Sequence, residues 1–423
     1  MLFLCLFAFI IAGAQKKNSF AFINGTAHIG DGTIVENSYI VVKNDKIESI
    51  QSMKGIRIDP RSFDTIIDLV GKHIYPALIN SNNVLGLHDA FSVRATRDFS
   101  DVGYINPHIR SLIAYNTDNK IIPTIKTNGI LYTQATPRGG LISGNSSVMA
   151  LEGWNWEDAV LKEDDGIHLN FPEMVDRSGD ESNDDKAIKQ YQETISTLNK
   201  FFDDALAYSN TPNPSEKNLR FEAMKGVFAG TKNLYIHTDK AKDILSVITF
   251  CKKYSIKKPV VVGAKECAKI LKDIKKSAIP IMLVRIHDLP DKTDDNIDAV
   301  YELPAILQKE GILFCLQTAG DSEMEAMNSR NLPFLAGSAV AYGLTKEQAL
   351  MSVTLNTAKI IGIDKLIGSI TEGKLASLVV SEGDILDMKT SNIVSAYIAG
   401  KAVNLTNQQT ELYNRYKTKY GIK

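Results

Sequence analysis

Cysteine is scarce in this chain: Cys5, Cys251, Cys267 and Cys315 are the only four in 423 residues, with no CxxC spacing among them. That excludes a disulfide framework and a zinc knuckle. In an exported chain one bridge, Cys251–Cys267, could form, whereas Cys315 sits in the apolar run Ile312 to Leu316 and reads as a small buried side chain. Neither sign of charge dominates, because 48 Lys and Arg stand against 49 Asp and Glu for a net charge of -1. No basic face is implied, which argues against nucleic acid as a partner. Long hydrophobic runs are also missing. The first, Leu2 to Ile11, is shorter than the roughly 20 apolar residues needed to span a bilayer. It lacks a basic residue before it but is followed by Ala12-Gly13-Ala14, so residues 1–15 read as a secretory signal. The expectation is an exported protein, periplasmic or extracellular, without a transmembrane segment.

What is present is ordinary for a globular protein, with 44% hydrophobic and 23% charged residues. Short alternating runs with Asn-Gly and Asn-Asp turns mark the front end: Phe20 to Ile23, Tyr39 to Val42 and Ile47 to Ile50. The style returns at Leu378 to Val380 and Ile393 to Ile398. Residues 16–70 and 364–423 are therefore expected to build one composite β-sandwich domain. Between them, over 71–363, apolar runs alternate with amphipathic helical stretches. The runs are Ile74 to Ile79, Ile130 to Thr133, Val148 to Leu151, Ile167 to Phe171, Leu234 to Ile236, Val260 to Val262, Ile281 to Val284 and Ile312 to Leu316. Eight such repeats predict parallel strands closed into an α/β (β/α)8 barrel of the TIM type. A polar stretch and a long helix, about 173–215, read as an insertion after the fourth strand.

Three passages carry a resemblance. The first is Asn24-Gly25-Thr26, Gly30-Asp31-Gly32 and Asn44-Asp45-Lys46-Ile47 leading into Gly71-Lys72-His73-Ile74-Tyr75-Pro76-Ala77. The second is Thr354 to Gly362, and the third is Gly368-Ser369-Ile370-Thr371-Glu372-Gly373-Lys374-Leu375-Ala376-Ser377. In order and spacing the chain resembles the amidohydrolase superfamily, in its imidazolonepropionase-like and dipeptidase-like branch. The resemblance implies hydrolysis of carbon–nitrogen bonds in amides or dipeptides. It implies divalent metal, usually zinc, that lowers the pKa of a bound water and polarises a carbonyl.

The ligand pattern departs from that family. Where a His-X-His pair follows the first barrel strand, this chain has Asn82 and Val84; an amide is a poor zinc ligand and valine is none. No Lys ends the fourth strand, which reads His168-Leu169-Asn170-Phe171. His237 matches the fifth-strand ligand, but Gly263 and Ala319 stand where the sixth-strand His and eighth-strand Asp are expected. The resemblance therefore implies no resident metal set, and at most one atypical zinc ion held by His168, His237 and His287. Candidate catalytic residues are His237, His287 and Asp239. Arg138 with Gly139 and Gly140, after the second strand, could form an anion nest over the mouth, with Asn82 and His168 as further ligand contacts. Two functions remain open. One is an exported hydrolase of carbon–nitrogen bonds; the other is an inactive relative that binds a small amide or peptide-like ligand, as a homodimer or beside an intact family member.

Overall fold

A computed structural model describes residues 19–174, 181–214, 216–291, 294–320 and 324–422. The signal-like stretch 1–15 lies outside them. Among the described residues, no helix is long and apolar enough to cross a membrane.

Five strands come first: β1 (Ser19–His28), β2 (Ile34–Lys43), β3 (Lys46–Ser52), β4 (Thr65–Asp68) and β5 (His73–Pro76). Eight barrel strands follow: β6 (Leu78–Asn83), β7 (Ile130–Ala135), β8 (Ile142–Ala150), β9 (Val160–Asn170), β10 (Asn233–Thr238), β11 (Pro259–Gly263), β12 (Ile281–Leu283) and β13 (Phe314–Leu316). The chain closes with β14 (Leu378–Ser381), β15 (Ile393–Ile398) and β16 (Lys401–Ala402).

The terminal strands form one sheet in the order β16-β15-β14-β5-β1-β2-β3, with β4 beside β1. The seam between the two ends of the chain is the antiparallel pair β5 and β14, Ile74 opposite Val380. Phe22, Ile40, Val42, Ile47, Leu69, Ile74, Leu378 and Val380 form the core of this sheet. The run Ile74 to Ile79, expected as one strand, is thus two. Its first half joins the end sheet and its second half, from Leu78, opens the barrel.

The other sheet runs β6 to β13 in chain order, and a bridge between Ser81 and Gln317 brings its edges together. Its strands are not all parallel. β8 is antiparallel to both β7 and β9. The reason is length: only residues 136–141 separate β7 from β8. A parallel return needs a crossover of about a dozen residues, whereas a hairpin needs few. The long insertion helix is present as Glu181–Ser209 and packs Leu198, Phe202 and Ala205 into the main core. Cys251, Cys267 and Cys315 are all free and buried, so the Cys251–Cys267 bridge does not form. Asn145, part of an Asn-Ser-Ser sequence, is buried in β8 and donates to the Pro107 carbonyl, which leaves it no room for a glycan.

The barrel interior is polar as well as apolar. Asp165 on β9 is fully buried, and it accepts bonds from Ser146 at 2.8 Å, Gln134 at 2.8 Å and Tyr235 at 2.5 Å. Burial pushes the Asp165 carboxyl up and these donors oppose the shift. Gly166 makes this network possible, since a Cβ there would lie 2.4 Å from the Tyr235 ring and 2.8 Å from the Asn233 carbonyl oxygen. Gly166→Ala is therefore expected to destabilise the chain by about 1–3 kcal/mol in urea titration. An unchanged midpoint would show that the strands yield freely.

Candidate functional site at the barrel mouth

β6, β7, β10, β11 and β13 end on one side of the barrel, and a cavity of about 440 Å³ opens there. Its walls include Asn82, Arg138, Glu173, His237, Thr238, Asp239, Gly263, Gln317 and Glu325. Phe171, Val262, Val284 and Ala319 supply apolar surface.

Arg138 organises one side. Its Nη1 donates to Asn82 Oδ1 at 2.9 Å, while Nη2 donates to the Asn82 carbonyl at 2.8 Å and to Glu325 Oε1 at 2.6 Å. Asn82 can present both oxygens because its backbone is left-handed, φ 48, a conformation Asn tolerates better than most residues. Its amide nitrogen donates to Gln317 Oε1 at 2.6 Å, and its backbone N–H to Gln134 Oε1 at 2.9 Å. Glu325 also accepts the Val84 N–H at 3.0 Å. The guanidinium was expected to grip a ligand carboxylate with Gly139 and Gly140. Instead it grips the chain's own Asn82 and Glu325. Gly139 and Gly140 both have positive φ and are exposed, outside the cavity walls; a Cβ at Gly140 would meet the Tyr104 carbonyl oxygen at 2.8 Å. They shape the hairpin turn.

His168 and His237 are side by side on β9 and β10. His168 Nδ1 and His237 Nε2 share a hydrogen bond of 2.9 Å, and the His168 ring stacks on Tyr235. His168 is fully buried and its Nε2 has no partner. Burial first, then the Arg138 charge, push the His237 imidazole down to about 3. Burial and then the charges of His237 and Arg138 hold His168 well below the usual range. Both rings are neutral near pH 7.

His287 is not brought to them. It is exposed, bonds Ser338 at 2.7 Å, and lines a different cavity with Lys346 and Asp384. Asp288 beside it pairs with Lys265 at 3.1 Å. Asp239 does reach the cavity wall, turned over Gly263. A Cβ at Gly263, whose φ is 99, would lie 2.4 Å from Asp239 Oδ1. The carboxylate thus fills the space that an imidazole on the sixth strand would need. Among the described residues, no group of three or more His, Cys, Asp and Glu side chains is arranged to hold a metal ion.

Glu325, Gln317, Glu173 and Thr238 were not singled out from the sequence. Glu325 follows the last barrel strand in a short helix, Glu325–Asn328, and no local pattern announces its partner far back at Arg138. The Gln317 position could have been found, since it directly follows the apolar run ending at Leu316.

Comparison with known proteins agrees with this architecture. The family model described as "Amidohydrolase family" matches residues 216–403. An amidohydrolase from Thermotoga maritima MSB8 superposes with a TM-score of 0.78 at 24% identity, covering 91% of this chain and 99% of that one. Phenylurea hydrolase B superposes with a TM-score of 0.54 at 13% identity, over 92% and 97% of the two chains. At these identities the likeness is one of fold. Over 103 residues the chain is also 27% identical to an adenine deaminase of Desulforamulus reducens, a stretch that is 24% of this chain and only 17% of that protein.

Two outcomes follow from the geometry. Glu325→Gln leaves the half-buried Arg138 without its counter-charge and is expected to cost about 2–3 kcal/mol. Arg138→Met combined with Glu325→Gln should cost less than the sum of the two single changes, measured by a double-mutant cycle in urea. The imidazole pair gives a pH signature. Folded pKa values lie below the unfolded value near 6.5, so the pair's contribution is complete above pH 6.5 and is lost as pH falls toward 3. His237→Gln should accordingly show a shallower loss of stability between pH 7 and pH 4 than the unchanged chain; parallel curves would contradict the neutral pair.

Proposed function

We propose, starting from the match of residues 216–403 to the amidohydrolase family model and from the shared fold, that the chain holds a small organic molecule in the barrel mouth and does not hydrolyse it through a metal-bound hydroxide. The inherited reaction class is hydrolysis of carbon–nitrogen bonds. This member keeps the cavity of that class and replaces its chemistry with recognition.

One observation carries the reading: the Arg138 guanidinium is bonded to Asn82 and Glu325 at the end of the first barrel strand. The donors around that pair do not fit a divalent ion. Asn82 commits its side-chain oxygen to Arg138 and its nitrogen to Gln317. His168 and His237 turn ring nitrogens toward one another, so those lone pairs do not converge on a shared ion. Gly263 and Ala319 offer no donor. Zinc requires three or four converging N, S or O ligands, and hydroxide generation requires the ion.

What remains suits binding. A cavity of about 440 Å³ with apolar walls and a few fixed polar groups is the usual form of a small-molecule site. The apolar run Leu2 to Ile11 supports export, and so a role outside the cytoplasm.

Elemental analysis of the purified protein tests the reading, together with a screen of N-acyl amino acids, dipeptides and cyclic amides. The expected result is substoichiometric zinc, unchanged thermal stability after dialysis against a chelator, and no turnover. A divalent ion at full occupancy, lost together with hydrolysis in His237→Ala, would overturn it.

A further inference from the structure

Among the described residues, the charged groups of the mouth do not balance: four line the cavity, Arg138, Glu173, Asp239 and Glu325. Arg138 cancels Glu325 across 2.6 Å, which leaves two carboxylates, Glu173 and Asp239, facing the same space.

Each of the two has acceptor capacity to spare. A carboxylate can accept about four hydrogen bonds. Asp239 receives one long bond, from the Lys265 backbone N–H at 3.3 Å. Glu173 is exposed at the rim and has no hydrogen-bond or ion-pair partner among the described residues. Nearby cations are engaged elsewhere: the Lys265 ammonium bonds Asp288 and Asp291, at 3.1 and 2.6 Å. Two further groups of the same wall have no hydrogen-bond partner among the described residues. The Thr238 hydroxyl is buried and partnerless although the residue is only 4% exposed. His237 spends Nε2 on His168, and its Nδ1 has no protein partner among the described residues. Both carboxylates can accept a proton-bearing donor, and among the described residues no further donor is bonded to either.

We infer that the cavity takes a small organic cation, a primary ammonium on an aliphatic body, with the ammonium between Asp239 and Glu173 and the body against Phe171, Val262 and Val284. An ammonium brings three donors and one positive charge, which is what the wall lacks. A ligand carboxylate would meet two like charges and an arginine already in use. The inference rests on the binding reading above and names the ligand class for that same cavity.

The test is calorimetric titration of the full chain with three probes of one shape: butylammonium, butyramide and butyrate. Butylammonium is expected to bind at one per chain, at least about tenfold more tightly than either of the others, with affinity falling as salt rises. Asp239→Asn and Glu173→Gln should each weaken it by about fivefold or more. Glu173 is exposed, so its variant folds regardless, and a melting curve shows whether Asp239→Asn has folded. Butyrate or butyramide binding as tightly as butylammonium would overturn the inference, as would butylammonium binding that survives both substitutions or no measurable binding at all. A result favouring butyramide alone sinks the cation and leaves the metal-free binding site standing. A full complement of divalent ion in the same sample sinks that reading instead.

Discussion

The mouth of this barrel depends on where one guanidinium rests. Arg138 arrives from the β7–β8 hairpin and bonds Asn82 at the end of β6 and Glu325 beyond β13. Those three elements meet where the first and last strands close the ring, next to the Ser81–Gln317 bridge. A planar group with five donors can tie three separate segments at fixed angles, which a lysine at the same place could not. Because Glu325 also holds the Val84 N–H and Asn82 also holds Gln317, the tie extends to both neighbours of the seam. The closure of the barrel and the electrostatics of its cavity are thus one feature.

The antiparallel β8 makes this arrangement reachable. In a strictly parallel barrel a helix would separate β7 from the next strand. Here the chain turns back within six residues, 136–141, and Arg138 rides on that turn directly over the mouth. Gly140 lets the turn pass against the Tyr104 carbonyl without a Cβ. A short connection therefore changes both the topology and the identity of the group that caps the cavity.

Much of the fold was legible in the sequence because burial writes itself into apolar runs. All eight barrel runs became barrel strands, and the two turn-rich ends joined in one sheet. Direction was not legible, since an apolar run reads the same whichever way it points. The spacing between Thr133 and Val148 held the clue to a hairpin. The run Ile74 to Ile79 concealed a handover between sheets, because a residue buried by either core is equally apolar. For the site, His237, Asp239, Arg138 and Asn82 are brought to one cavity, His168 is buried behind it and bonded to His237, and His287 faces another. Strand ends predict which residues approach a mouth, but not which way a loop beyond the end turns its side chains. Pairings such as Arg138 with Glu325, separated by most of the barrel, leave no local trace.

The interior polar groups hold one another in place. Asp165 at full burial would be costly alone, yet Ser146, Gln134 and Tyr235 satisfy it, and Gln134 passes the connection on to the Asn82 N–H. Removing any one member leaves the others buried and unpaired, and that costs more than the bond itself contributes. Such a network resists piecemeal replacement by apolar side chains. It also holds Asn82 in its left-handed turn from below while Arg138 holds it from above. The cavity wall is therefore set by polar contacts that run from the barrel floor to its rim. A cavity fixed in that way keeps its shape whether or not chemistry takes place in it.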